Sequence, residues 1–264
     1  MVTWLIYGGV GAVAGLIAGL LGLGGGIVIV PMLTYTFGAL HLPPQQIHHL
    51  ALGTSMATIV FTSFASFRAH HGKGMVDWRV VRAITPGIIA GTLSGSWFAS
   101  RLNGPPLKAF FVLFTFYVAL QMILDIRPKP SRQLPGRAGL FGVGLGIGFV
   151  SSLVGIGGGS MSVPFLIWCN VAIYGAIGTS AAIGFPIALA GAAGYVINGL
   201  WATDLPPYSL GFVYLPAMVG IALVSSLTAP LGARLSHRLP VPQLKKGFAC
   251  LLIISGAKML SGLF

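Results

Sequence analysis

Acidic side chains are nearly missing from this chain. Its 264 residues include only three aspartates, Asp77, Asp125 and Asp204, and no glutamate, against fifteen Lys and Arg, for a net charge of +12. Charged residues of both signs make up 7%, where a soluble domain carries roughly 25%. A chain so poor in charge cannot cover a water-facing surface, and a nucleic-acid binder would gather its cations on one exposed face or arm. Disorder is excluded by the 55% hydrophobic content. Cysteine is scarce too. Cys169 and Cys250 both lie in apolar surroundings, where a small buried hydrophobe is expected rather than a disulfide or a metal ligand. The six histidines show no zinc-site spacing with Cys or Asp. No metal, cofactor or catalytic group is therefore expected.

What the chain has in abundance is apolar sequence, with a mean hydropathy of +0.91. The bilayer is the solvent this fits, and at about 20 residues per span the length allows at most ten or so short spans. Apolar stretches run over 5–21, 27–40, 47–67, 80–100, 107–124, 138–154, 161–173, 176–197, 210–231 and 248–263. The first reads as a membrane helix rather than a cleaved signal, because it lacks a basic leading region. The second and seventh are too short to cross upright and read as re-entrant or broken helices. Residues 125–137, DIRPKPSRQLPGR, form one polar, basic linker near the midpoint. It separates a first membrane repeat, 1–124, from a second, 138–264.

The repeat is visible in the letters. Residues 21–33, LGLGGGIVIVPML, and 154–166, VGIGGGSMSVPFL, share seven identities without a gap, including Gly22/Gly155, Gly24/Gly157, Gly25/Gly158, Gly26/Gly159 and Pro31/Pro164. Further on, Gly53-Thr54-Ser55 matches Gly178-Thr179-Ser180, and RLNGPPLK at 101–108 matches RLPVPQLK at 238–245. Three matches in the same order indicate a duplicated half.

Charge tests the orientation, since cytoplasmic loops keep an excess of Lys and Arg. With each Gly-broken stretch counted as one crossing, Arg68, Lys73, Arg79, Arg82, Arg127, Lys129, Arg132 and Arg137 oppose Arg101, Lys108, Arg234, Arg238, Lys245 and Lys246, almost without bias. If each break instead returns the chain to its starting side, the halves are inverted and only Arg101 and Lys108 remain outside. The inverted arrangement is preferred. It places both chain ends and the segment 198–208 on the outer face, with either ten crossings or eight plus paired half-helices. The fold class expected is an all-α polytopic membrane protein with an inverted internal repeat of eight to ten membrane elements.

The broken segments are the first candidates for a site. Glycine opens backbone conformations closed to other residues and leaves amide N–H groups approachable. The first N–H groups of the following helix lack internal partners and carry partial positive charge, which favours an anion. A broken helix in lipid needs its loose backbone groups buried in protein or facing a cavity. Gly22, Gly24, Gly25, Gly26 and Ile27, with Gly155, Gly157, Gly158, Gly159 and Ser160, are accordingly expected to bind substrate. Close helix packing alone is the competing explanation. Thr54, Ser55, Thr179 and Ser180 add hydroxyls that can donate to an oxyanion, although buried hydroxyls often bond back to their own helix. Pro31, Pro164, Gly53 and Gly178 are expected to be structural. No predicted span contains a carboxylate, whereas cation transporters and proton pumps usually place one there.

At the repeated G-x-G-G-G-x-x-x-x-P the chain resembles the sulfite exporter TauE/SafE family of membrane permeases. The resemblance covers essentially the whole chain and includes LGLGGGIVIVP, LGTSMA, GIGGGSMSVP and IGTSA. It implies transport of sulfite, sulfonates or related organosulfur anions across the inner or plasma membrane.

Residues and resemblance together give a secondary transporter for a small, sulfur-containing oxyanion, with one half rocking against the other. Export down the membrane potential favours an anion by roughly 2.3 kcal/mol per charge per 100 mV. Import would need a coupled proton or cation. The alternatives are an anion channel, a scaffold protein, or an intramembrane hydrolase pairing Ser55 or Ser180 with His48, His49 or His70.

Overall fold

A computed structural model describes residues 2–21, 25–124, 131–235 and 241–261. Among these, ten helices account for nearly all regular structure: α1 (Val2–Leu21), α2 (Gly26–Ala39), α3 (Ile47–His71), α4 (Trp78–Arg101), α5 (Gly104–Ile123), α6 (Arg137–Val154), α7 (Gly159–Trp168), α8 (Ile173–Gly199), α9 (Leu215–Leu235) and α10 (Val241–Ser261). A two-residue antiparallel ribbon, β1 (Ser209–Leu210) and β2 (Val213–Tyr214), leads into α9. Six helices, α1, α3, α5, α6, α8 and α9, are long and apolar enough to cross a membrane. The protein is a multi-pass membrane protein. The 14 residues of α2 and the 10 of α7 span only about 21 and 15 Å, short of the roughly 30 Å hydrocarbon core.

The surface is apolar, and an apolar core inside it also holds many buried hydroxyls. Leu113, Leu120, Leu223 and Leu227 are exposed, whereas Thr54, Ser55, Thr58, Thr62, Ser151, Ser162 and Ser180 are buried. Lipid offers no hydrophobic force between helices, so close backbone approach has to hold them. Glycine supplies that approach along two seams. On α1, Gly11, Gly15 and Gly19 face Ile221, Ser225 and Ala229 of α9, and a Cβ on any of them would run into α9 backbone. On α4, Gly87, Gly91 and Gly95 meet Phe141, Leu145 and Phe149 of α6 in the same way. In both seams the residue numbers rise together, so the paired helices are parallel.

The two seams are copies of one another. Helix α1 pairs with α9 and α6 with α4; α3 packs on α9 and α8 on α4; α5 packs on α10. Between these groups α3 crosses α8, where Gly53 lies against Tyr195, Gly191 against Met56 and Gly184 near Ser63. Here one number rises as the other falls, so the two helices that carry the repeated Gly-Thr-Ser run antiparallel.

The second break turns the chain back on itself. The N–H groups of Ser131 and Arg132 both donate to the Trp168 carbonyl at 3.3 Å, and the Arg132 guanidinium lies 4.9 Å from the Trp168 ring centre. The end of α7 thus returns to the linker that precedes α6. Distant charged segments also meet: Lys73 Nζ donates to the Ala233 carbonyl at 3.3 Å. Of the linker, residues 125–130, with Asp125, Arg127 and Lys129, lie outside the described residues, as does Arg238.

Candidate functional site

The two breaks share one backbone geometry. Gly25 precedes α2 with φ 75° and ψ −12°, and Gly158 precedes α7 with φ 73° and ψ −6°, both left-handed. An L side chain there costs about 1–2 kcal/mol, which is why glycine occupies both. Gly155 ends α6 in the same region with φ 72°. Gly22 and Gly24 lie outside the described residues. Each N-cap carbonyl closes the first turn: Gly25 O accepts from Val28 at 3.1 Å and Ile29 at 3.3 Å, and Gly158 O from Met161 at 3.0 Å and Ser162 at 2.9 Å. The earlier amides, of Gly26 and Ile27 and of Gly159 and Ser160, carry the positive end of each helix dipole. No side chain caps either helix. Inside the helices, Pro31 and Pro164 have no N–H to give the carbonyls of Ile27 and Ser160, which loosens both first turns.

Both breaks are buried and touch each other. The Cα of Gly26 sits so close to the Gly155 carbonyl and Ile156 that no side chain would fit, and Ser55 Oγ donates to that same carbonyl at 2.8 Å. Gly157 O lies under Gly184 of α8. The sequence pattern had grouped these glycines by repeat; the fold brings the two groups into one central contact.

Around the second break the interior is lined with hydroxyls. Ser162 Oγ donates to Gly158 O at 3.0 Å and lies 2.6 Å from Ser180 Oγ. Ser151 Oγ and Ser160 Oγ are buried with no hydrogen-bond partner among the described residues. Ser151 faces the break, since a Cβ on Gly158 would stand 3.2 Å from its oxygen. Sequence reasoning singled out Ser160 and Ser180 but passed over Ser151 and Ser162. The signal was present in the uneven copies: Ser151, Ser160 and Ser162 stand where the first repeat has Ala18, Ile27 and Ile29.

The repeated Gly-Thr-Ser divides its work. Thr54 Oγ1 accepts the N–H of Tyr214, the residue before α9, and Thr179 Oγ1 accepts that of Asp77, the residue before α4, each at 2.9 Å. A Cβ on Gly53 would strike the Phe212 carbonyl and one on Gly178 the Met75 carbonyl, so each glycine lets the incoming segment lie flat on the helix. Each half therefore holds the start of a helix belonging to the other. The serines that follow, Ser55 and Ser180, point instead toward the breaks.

Two cavities open at opposite ends of α3. One, of about 1050 Å³, is lined by the start of α3 with His48 and His49, the α4–α5 junction with Arg101, Asn103 and Lys108, and the end of α8 with Asn198 followed by Trp201. Phe212 also lines this cavity. Its ring stacks on His49 at 5.1 Å and meets Tyr195 at 6.5 Å, while Tyr195 Oη donates to the Ser152 carbonyl at 2.8 Å. The other cavity, of about 580 Å³, is lined by residues 74–79 together with Val171, Gly175 and Thr179.

Among the described residues Ser55 and His49 are not paired as hydrolysis would require. Ser55 is engaged with Gly155 O, and His49 Nε2 donates to the carbonyls of Ala99 and Leu102, both at 3.1 Å. Among the described residues no three His, Cys, Asp or Glu side chains cluster as metal ligands would.

Lipid-facing leucines, glycine seams and a buried, hydroxyl-lined meeting of two broken helices define a polytopic membrane protein of the transporter class. The family follows from comparison with known proteins. The chain belongs to the TauE/SafE family: the model described as "Sulfite exporter TauE/SafE" matches residues 7–259. It is 40% identical over 252 residues to a "Probable membrane transporter protein" of Haemophilus influenzae, covering 95% of each chain. It is 30% identical over 225 residues to "Probable membrane transporter protein YunE" of Bacillus subtilis, covering 75% of this chain and 81% of that one. A methanogen relative, "Probable membrane transporter protein MJ0441" of Methanocaldococcus jannaschii, is 26% identical over 259 residues, covering 95% and 93%. No solved structure matches the chain. Membership places it among membrane transporters rather than enzymes.

Proposed function

We propose that this chain is a secondary transporter for a small oxyanion, of the sulfite or sulfonate type, that binds at the second break and passes between the two cavities by alternating access. The observation that carries the reading is the pair of buried, unpartnered hydroxyls of Ser151 and Ser160 beside the left-handed Gly158. A buried hydroxyl without a partner costs free energy, and an anion reached by several donors at once recovers it. The amides of Gly159 and Ser160 supply fixed donors, and Ser151, Ser160 and Ser180 supply hydroxyls. The first break, with Gly25, Gly26 and Ile27, closes the other wall of the site, and Ser55 fixes the Gly155 carbonyl.

The inverted arrangement of 1–124 and 138–264 is part of the proposal. It is supported by the antiparallel α3 and α8, by the Lys73 contact with Ala233, and by the shared cavity of Arg101, Lys108, Asn198 and Trp201. Like-oriented halves would put the partners of the last two groupings on opposite faces of the membrane. The bodies that rock are not the sequence halves, because the glycine seams join α1 to α9 and α4 to α6. We assign one body to α1, α3 and α9 and the other to α4, α6 and α8, sliding at the α3–α8 crossing. No described helix carries a carboxylate, so coupling to a proton or cation would rest on other groups.

The test is flux in reconstituted vesicles with sulfite, methanesulfonate and sulfate, with and without a pH gradient. The double variant Ser151→Ala/Ser160→Ala should fold and lose most flux. Unchanged flux and half-saturation in that variant would overturn the site.

A further inference from the structure

The large cavity at the start of α3 has no part in the central site, and its chemistry is one-sided. Arg101, Lys108, His48 and His49 line it and, among the described residues, no Asp or Glu does. His48 is 4% exposed, and among the described residues its imidazole makes no well-formed hydrogen bond, engaging only the Leu107 backbone weakly. Its neighbour His49 spends Nε2 on two carbonyls of the α4 end and also engages the Gln45 backbone. Asn103 stands at the N-cap of α5 without capping it, so its amide also remains available. Basic groups and amide donors converge here from two parts of the chain that are far apart in sequence: residues 44–49 and 100–108 on one side, 198–212 on the other.

We infer that this mouth cavity is a second anion site, in which His48, Asn103, Arg101 and Lys108 hold a hydrated oxyanion before it reaches the centre or after it leaves. The choice of ligand class rests on the transport reading above; the site itself rests on the cavity, its basic lining and its weakly engaged imidazole. Arg and Lys at a partly open mouth attract an anion across several ångströms of water, and charge-assisted bonds with the His48 and Asn103 donors fix its place. The stacked pair Phe212 and His49 borders this cavity, whose lining includes neither Ser151 nor Ser160.

Trp201, 89% exposed, lines the same cavity and reports its occupancy. Protein in nanodiscs is titrated with sodium sulfite, methanesulfonate and sulfate at constant ionic strength, and indole fluorescence is recorded. A saturable change should appear, should vanish in Trp201→Phe, and should shift to roughly tenfold higher concentration in Lys108→Gln and in His48→Leu, a loss of about 1.4 kcal/mol. His48→Gln, which keeps a donor, should shift it less than His48→Leu. Ser151→Ala/Ser160→Ala should leave the signal unchanged. A linear, unsaturable response in wild type, or saturation unmoved by both Lys108→Gln and His48→Leu, overturns the inference. Vesicle flux separates the two readings: flux without saturation at Trp201 removes the mouth site alone, and saturation without flux removes the transport reading alone.

Discussion

The two glycine breaks have the same backbone and opposite linings. Gly25 and Gly158 differ by 2° in φ, 75° against 73°, yet the turns that follow them read Gly-Ile-Val-Ile in one half and Gly-Ser-Met-Ser in the other. Behind them stand Ala18 in α1 and Ser151 in α6. Duplication supplied two equivalent helix starts; substitution then made one greasy and one polar. The lesson is that a symmetric backbone does not require symmetric side chains: aliphatic groups follow the first break and hydroxyls the second.

The sharpest way to break this comparison is to add one methyl group to each N-cap. Gly25→Ala and Gly158→Ala both pay about 1–2 kcal/mol for a left-handed L residue. Their neighbours differ. The new Cβ at 25 would lie 2.7 Å from the Ala14 carbonyl, which is backbone, whereas at 158 it meets the side-chain ends of Ile187, Ile147 and Ser151. Gly25→Ala should therefore abolish folded protein in the membrane, read by size-exclusion profile. Gly158→Ala should leave a folded protein without flux. The opposite assignment would remove the division of labour.

A second expected effect concerns the hydroxyls. Ser160→Ala should raise the half-saturation for sulfite flux roughly tenfold, by loss of about 1–1.5 kcal/mol from one charge-assisted hydrogen bond. Ile27→Ser, which copies the second break into the first, should change it little. Equal effects at the two positions would mean that both breaks touch the anion.

Thr54→Val and Thr179→Val probe the symmetric part of the structure. Each keeps the shape and removes the partner of one partly buried N–H, of Tyr214 or of Asp77, at a cost of about 0.5–1.5 kcal/mol. Both should lower the detergent melting temperature by similar amounts while leaving anion affinity intact. Unequal losses would show that the two staples are not equivalent.

The smallest perturbation is a label. Single cysteines at Lys73 and Arg234 should react with an impermeant maleimide from one side of the membrane, and cysteines at Arg101 and Trp201 from the other. Any other grouping would defeat the inverted arrangement while leaving the chemistry of the second break untouched.

A good deal of this was legible before any coordinates. The short apolar runs 27–40 and 161–173 appear as α2 and α7, because glycine before the run and proline within it limit how long the helix lasts. At Gly53 and Gly178 the carbonyls of Phe212 and Met75 come too close for a Cβ, a contact that no local pattern announces. The threonines show where letters stop: a hydroxyl in a repeated motif looks the same whether it meets a ligand or a backbone N–H from 160 residues away, as Thr54 does with Tyr214. Likewise a Gly-x-x-x-Gly series announces a close partner without saying which helix it is.

Composition and order decided the solvent, the duplication and the family, since scarcity of charge, apolar run length and repeated spacing are properties of a linear string. Three-dimensional packing alone decided that α1 joins α9 across the two halves, that the breaks meet under Ser55, and that four basic or imidazole side chains share one mouth. Those facts depend on which surfaces come within an ångström of each other, and that distance is set by long-range contacts that no local pattern encodes.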